Sequence, residues 1–479
     1  MQLACPLALT LALVLTGCSG HSGYPPATPV SAPAAPAGPA VAMTVTIGAP
    51  VAGAATLSST FAGFSYEKSK LNSSYFNSGN TALVTLFKRL GPGILRVGGN
   101  SVDSTSWNPN GPGLVGGRLA PADVDRLAGF LRAVDWQVIY GLNFATNTPA
   151  GMASEAAYAA GSLGDRLYGF ELGNEPDLYH SNGLRPATYH FADFLAEWQA
   201  YAAAISAQVP AAVFTGPASA GNLASFTEPF ALAEGPAISL LTQHYYRANG
   251  QSASSTLALL LKPDPGLPVE LQALATAATG ISGGYRLDEA NSFYNGGAPG
   301  ISDAYGTSLW AVDFLFTNAL YGSTGVNFHG GGNSTGYTPI ADANDQVVEV
   351  RPEYYGMYLF SRAAKGQLLG TSIQAAASIP CSAYAVAVAD GDTILVLVNK
   401  DPVNNAQVQV DLPGQPTVAN LTLLTGPSLA ASTGQTLNGA AIAADGSWTP
   451  AAADPQALAG TSCTFYVPPA SALLVRASR

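Results

Sequence analysis

Between Phe61 and Phe328, short apolar runs alternate with helix-like stretches. The runs are residues 61–66, 94–98, 137–143, 168–173, 212–216, 238–245, 284–288 and 325–328. Most are bounded by Gly, Pro or Asn, as expected of strands buried on both faces of a parallel sheet. The stretches between them read as helices. In residues 122–134, Leu127, Phe130, Leu131 and Val134 fall on one helical face. Residues 186–209 open with Pro and stay periodic, and residues 302–321 are rich in aromatic and aliphatic side chains. Eight strands separated by helices predict an α/β fold, a (β/α)8 barrel. A doubly wound open sheet is the alternative, but no Gly-rich nucleotide loop follows the first strand.

The pattern changes after Lys365. Residues 384–389 and 393–399 alternate around Asp390-Gly391-Asp392, a hairpin signal, and 408–412, 420–424, 464–467 and 473–476 continue in the same way. These predict a C-terminal β-sandwich. Residues 44–47 alternate too, have no place in a barrel that begins at Phe61, and are assigned to the sandwich. The expected domains are a barrel over 58–350 and a sandwich built from 43–57 and 351–479.

Residues 18–42 form a linker, with six prolines from Ser19 onward and no apolar periodicity. Residues 1–17 read as a signal peptide whose apolar run, Leu7 to Leu15, is too short to span a bilayer. Leu15-Thr16-Gly17-Cys18 resembles a lipoprotein processing site, which implies acylation of Cys18. The alternative is an ordinary secretory signal. Either way the chain is expected to be exported, as a lipid-anchored protein of the periplasmic or outer-membrane face or as a secreted one. Export leaves Cys381 and Cys463 in an oxidising compartment, where they are expected to form a disulfide.

Charged residues are only 10 % of the chain, against about 25 % in an average protein, and the formal net charge is −11. Lysine and arginine number 19 and are scattered. This excludes nucleic acid as a partner and disfavours tight capture of a polyanion. The five histidines lack ligand spacing, so no metal and no cofactor is expected. The chain is expected to act as a monomer.

Two stretches carry the chemistry. Phe170-Glu171-Leu172-Gly173-Asn174-Glu175-Pro176 places Glu175 at the end of the fourth strand. Leu287-Asp288-Glu289-Ala290-Asn291 places Glu289 at the end of the seventh. The C-terminal strand ends form the active face of such barrels. Two carboxyl groups facing each other there can break a glycosidic bond, one as proton donor to the leaving oxygen and the other opposite the anomeric centre.

Glu171-Leu172-Gly173-Asn174-Glu175-Pro176 is similar to the acid/base motif of barrel glycosidases with catalytic glutamates on strands four and seven. Glu289 with Asn291-Ser292-Phe293-Tyr294-Asn295-Gly296-Gly297 resembles the nucleophile segment of glycoside hydrolase family 79, which holds heparanase and β-glucuronidases. His244-Tyr245-Tyr246 and Leu95-Arg96-Val97-Gly98-Gly99 are similar to the same family. The resemblance implies a barrel with a β-sandwich that takes an N-terminal strand, and a retaining double displacement. In that mechanism Glu289 attacks the anomeric carbon, while Glu175 protonates the leaving oxygen and then activates water. It further implies that Asn174 binds the sugar 2-hydroxyl, Tyr245 donates to Glu289, and Arg96 fixes Glu289 from below. His244 and His329 are expected to be wall residues.

A uronate carboxylate would have to be held by backbone N–H groups and phenols, because cations are few. The resemblance implies Asn295, Gly296, Tyr337 and Tyr294 for this task, and Glu67 for the outer hydroxyls. The expected activity is exo-hydrolysis of terminal β-glucuronate, free or 4-O-methylated, from a saccharide. The alternatives are a glycosidase for neutral β-glycosides, an endo-acting heparanase-like enzyme, and a non-catalytic glycan-binding protein.

Overall fold

The computed structural model describes residues 38–332, 336–451 and 455–479. The signal peptide, Cys18 and most of the expected linker lie outside the described residues.

Eight parallel strands close into a barrel: Ala62–Glu67, Ile94–Gly98, Gln137–Leu142, Leu167–Leu172, Phe214–Ser219, Ile238–Tyr246, Tyr285–Asn291 and Val326–Gly330. The eighth pairs with the first, Phe328 opposite Phe64. They match the eight apolar runs in number and order. The strands are almost wholly buried because helices cover their outer faces. In the helix Thr81–Leu90, Leu83, Leu86, Phe87 and Leu90 form the buried face, and the Asn80 side chain caps its first turn by accepting from Leu83 N.

Helix starts are where the sequence reading missed. The helix expected from Pro186 begins at Phe191. Asp193 accepts from His190 N at 2.9 Å and sets the cap there. At the N-terminal end of the barrel, the buried Arg286 donates to the Thr60, Phe61 and Thr324 carbonyls. Gly325 makes room for it, since a Cβ there would lie 1.9 Å from Nη1.

The second domain is one mixed ten-stranded sheet that curls over on itself as a sandwich. Its core includes Met43, Val45, Leu395, Val408, Phe465 and Val475. The strand Ala40–Pro50 lies inside this sheet, antiparallel to Gly366–Ala375 and parallel to Asn405–Asp411. The N-terminal strand therefore stitches the sandwich, and it starts within the stretch read as linker. Strand Gly366–Ala375 itself was not read from the sequence. Helix Pro352–Ala363 buries Tyr354, Tyr355 and Phe360 in a core cluster shared by barrel and sandwich residues. Asp313, on helix Gly306–Leu320, joins the domains by accepting from Ser382, Tyr384 and Lys400.

The expected disulfide is corrected: Cys381 and Cys463 are both free thiols. They sit on strands Cys381–Val388 and Ser462–Val467, which three other strands separate in the sheet order. Each thiol has local partners instead, Asn399 for Cys381 and the Gly460 and Thr461 carbonyls for Cys463. Among the described residues no helix is long and apolar enough to cross a membrane.

Candidate active site

Glu175 follows the fourth strand in a left-handed conformation, φ 49°. The turn requires Gly173, φ 80°, where a Cβ would meet Tyr179 Oη at 2.3 Å. The end of the fifth strand and the turn after the second hold this one. Glu175 N donates to the Ala218 carbonyl at 2.9 Å. The buried carboxylate of Asp103 gathers the N–H groups of Phe144, Ala145 and Asn174 and the hydroxyl of Tyr179. A strained backbone position persists when its surroundings over-determine it in this way.

Glu289 lies within the seventh strand rather than after it, because that strand continues to Asn291. The pairing with the sixth strand shifts register between Leu287 and Glu289. This irregularity breaks the strict in-and-out alternation of a strand. Asp288 and Glu289, consecutive in sequence, therefore both reach the same arginine. Asn291 fixes the strand end by donating to the His329 and Tyr337 carbonyls and to Glu353. One carboxylate oxygen of Glu175 lies within 4.8 Å of one of Glu289.

Arg96, fully buried on the second strand, is the hub beneath the pair. It donates to Glu289 Oε2 at 2.6 Å, Glu171 Oε1 at 2.7 Å, Asn174 Oδ1 at 2.9 Å and Ser65 Oγ at 3.3 Å. Its Nε also lies 3.2 Å from Asp288 Oδ2. Burial alone would push the Glu289 pKa up. The imidazoles of His329 and His244, the Arg96 guanidinium and the Tyr246 hydroxyl reverse this and hold it well below the ordinary carboxylate range. Asp288 goes the other way. Its burial, joined by the neighbouring Glu171 charge, raises it well above the aspartate range.

The sixth strand corrects two expectations. Tyr246, not Tyr245, donates to Glu289, at 2.8 Å. Tyr245 points to the outer layer, stacks on Phe314 and donates to Asp264. Strand alternation is the cause: His244 and Tyr246 share the inner face and Tyr245 takes the other. His244 is more than wall, since its Nδ1 lies 3.0 Å from Glu175 Oε1. Tyr246→Phe is expected to cost about 10- to 100-fold in turnover, the worth of a hydrogen bond to a charged group of about 1.5–3 kcal/mol. Tyr245→Phe should leave turnover nearly intact. Steady-state kinetics of the two variants checks this.

The remaining predicted residues lie around the rim. Tyr337 and the half-exposed Tyr294 both pack their rings near Tyr246. Asn295 is exposed and donates to Asn249. Asn295, Gly296 and Gly297 take positive φ in succession, and the Gly296 carbonyl accepts from Gly336 N at 2.8 Å. The nucleophile loop is thereby tied to the loop after the eighth strand. The two carboxylate oxygens of Glu67 accept from the backbone N–H groups of Asn100 and Ser101. His329 joins the site, with Nδ1 3.1 Å from Ser65 Oγ and 3.5 Å from Glu289 Oε2.

Glu171, Asp288, Tyr246 and Asp103 are the functional side chains that the sequence reading missed. Glu175, His244 and Glu289 also have the spacing of metal ligands. Arg96 and Tyr246 donate to Glu289, and His244 lies within hydrogen-bond distance of Glu175.

No protein-family profile matches the chain. A β-glucuronidase of Aspergillus niger is 28 % identical over 245 residues, 46 % of this chain and 45 % of that protein. A β-glucuronidase of Neurospora crassa is 26 % identical over 311 residues, 55 % of this chain and 54 % of that protein. The chain thus spans about half the length of the curated relatives it matches. Among solved structures, a 4-O-α-L-rhamnosyl-β-D-glucuronidase of Fusarium oxysporum, in complex with Rha-GlcA, superposes with a TM-score of 0.76 at 20 % identity. That superposition covers 90 % of this chain and 99 % of the other. A family 51 arabinofuranosidase of Xanthomonas axonopodis gives 0.61 at 17 % identity, covering 91 % and 100 %.

The barrel and sandwich are the fold of this class of solved glycosidase structures. Within that class, the matches bear out the resemblance to glycoside hydrolase family 79.

Proposed function

We propose that this protein is a retaining, exo-acting β-glucuronidase with Glu289 as nucleophile and Glu175 as acid/base. One observation carries the mechanism. The approach of one oxygen of each carboxylate to within 4.8 Å is nearer the roughly 5–5.5 Å separation of retaining glycosidases than the about 6.5–9.5 Å of inverting ones. The likeness to two β-glucuronidases supports glucuronate as the sugar.

The rim supports the same choice. Lys70 and Arg247 are each paired with aspartates, so a uronate carboxylate would rely on the phenols of Tyr337 and Tyr294 and on the backbone of the Asn295–Gly297 loop. Scattered cations favour exo action over cleavage inside a sulfated chain. Free and 4-O-methylated glucuronate are equally compatible. Hydrolysis of p-nitrophenyl β-glucuronide, compared with the glucoside, xyloside and α-arabinofuranoside, tests the proposal. The glucuronide is expected to dominate, and preference for a neutral glycoside would overturn the uronate reading while leaving the carboxylate pair in place.

The proposal includes export with acylation at Cys18, supported by Leu15-Thr16-Gly17-Cys18. Detergent-phase partitioning of the intact chain, lost in Cys18→Ser, is the expected result. Equal partitioning of the two would remove the anchor.

A further inference from the structure

Among the described residues no group donates a hydrogen bond to three buried polar atoms beneath the glutamates: His244 Nε2 and both carboxyl oxygens of Asp288. They face one another. His244 Nε2 lies 3.9 Å from Asp288 Oδ1, while Nδ1 of the same ring lies 3.0 Å from Glu175 Oε1. Asp288 Oδ2 lies 3.2 Å from Arg96 Nε, whose single hydrogen is committed to Glu171. Arg96 in turn holds Glu289. A continuous file of groups therefore runs under the site floor: Glu175, His244, Asp288, Arg96, Glu289.

A fully buried carboxylate that accepts no hydrogen bond is costly, so Asp288 carries a proton in the resting protein. Burial, the Glu171 charge, a hydrogen bond to Glu171 and the Glu289 charge all favour that protonated form, against the pull of Arg96. In the tautomer of His244 that carries its proton on Nδ1, toward Glu175, the lone pair on Nε2 faces the Asp288 acid.

The retaining mechanism proposed above, on which this inference rests, moves one negative charge across the site. Glu289 loses its charge when it becomes an ester. Glu175 gains one when it gives its proton to the leaving oxygen. Arg96 then faces one carboxylate fewer, with Asp288 only 3.2 Å away.

We propose that Asp288 and His244 form a relay that follows this charge, the Asp288 proton passing to His244 Nε2 while Glu289 is esterified. The O–H bond of Asp288 breaks and an Nε2–H bond forms. The electron pair stays on Asp288 as a carboxylate, which Arg96 stabilises in place of Glu289. The imidazolium donates from Nδ1 to the Glu175 carboxylate and orients it toward the incoming water. Hydrolysis of the ester returns the negative charge to Glu289 and the proton to Asp288. Both members act through Glu175, as positioning residues.

Asp288→Asn keeps the shape of the side chain but holds no proton it can pass on. Stopped-flow hydrolysis of p-nitrophenyl β-glucuronide separates the two half-reactions. The second half-reaction should slow about tenfold in the variant, less than the ~10²–10⁴-fold of a direct acid–base group. The first should slow far less, so that kcat falls more than kcat/KM and a nitrophenol burst appears. Equal loss in both steps, or in neither, overturns the relay. Should the variant not fold, the wild-type infrared difference spectrum on trapping the glycosyl-enzyme decides. Glu175 loses its carboxyl proton on trapping in either case, so loss of a second protonated-carboxyl C=O band, that of Asp288, supports the relay, and loss of the Glu175 band alone overturns it. A wild-type protein that opens no aryl glucuronide overturns the glucuronidase reading and the relay together. Normal wild-type turnover with an indifferent Asp288→Asn overturns the relay alone.

Discussion

Glu289→Gln lowers kcat/KM for p-nitrophenyl β-glucuronide by about 10,000-fold or more, on the order of 5.4 kcal/mol of transition-state stabilisation. The amide cannot form the glycosyl ester, so the double displacement has no first step. The fold should survive, because the change removes a buried negative charge and leaves Arg96 still paired with Glu171 at 2.7 Å. A thermal melt close to wild type would separate lost chemistry from lost structure. Survival of near wild-type hydrolysis would refute Glu289 as nucleophile.

The electrostatics add a pH consequence to this prediction. Glu289 is held well below the ordinary glutamate value of about 4.3. It therefore stays ionised as pH falls through that value, and kcat/KM should show no acid limb there from the nucleophile.

Arg96→Gln is expected to have the second largest effect, on stability as well as activity. The side chain is fully buried and ion-paired with Glu171 and Glu289. Removing one partner of a buried pair leaves uncompensated charge, at a cost of about 3–5 kcal/mol. That is a large share of the ~5–15 kcal/mol that holds a typical protein folded.

The sign of the pH dependence follows from the two glutamates, whose folded pKa values are both depressed. In the native protein they contribute stability above the unfolded pKa, and this is lost as pH falls through the folded values. The variant lacks that contribution. Its deficit against wild type should therefore be largest near neutral pH and shrink on acidification. Urea melts of both proteins at neutral and acidic pH test this. A deficit that grows toward acid would mean that Arg96 is not what keeps these carboxylates ionised.

The sequence by itself determined the barrel and the two glutamates. Buried parallel strands must be near-continuous apolar runs, and the helices between them must carry one apolar face. That is why eight strands could be counted in order and why Glu175 and Glu289 could be placed at the active face. It also showed that an early strand has no place in the barrel and belongs to the sandwich.

Only the tertiary structure decided how side chains meet inside that frame. Which of Tyr245 and Tyr246 faces inward depends on strand register, and a shift of one residue exchanges the two faces. The irregularity at Asp288–Glu289 brings two consecutive carboxyls to one arginine, against the alternation that strand periodicity leads one to expect. The thiols of Cys381 and Cys463 suggested a bridge by number and compartment, yet the order of strands in the sheet keeps them on separate ones. Contacts such as His244 with Glu175, 69 residues apart, arise from barrel closure. Local sequence sets where strands lie, but burial and closure set which titratable groups must share one arginine. The chemistry of Glu175 and Glu289 depends on that second level.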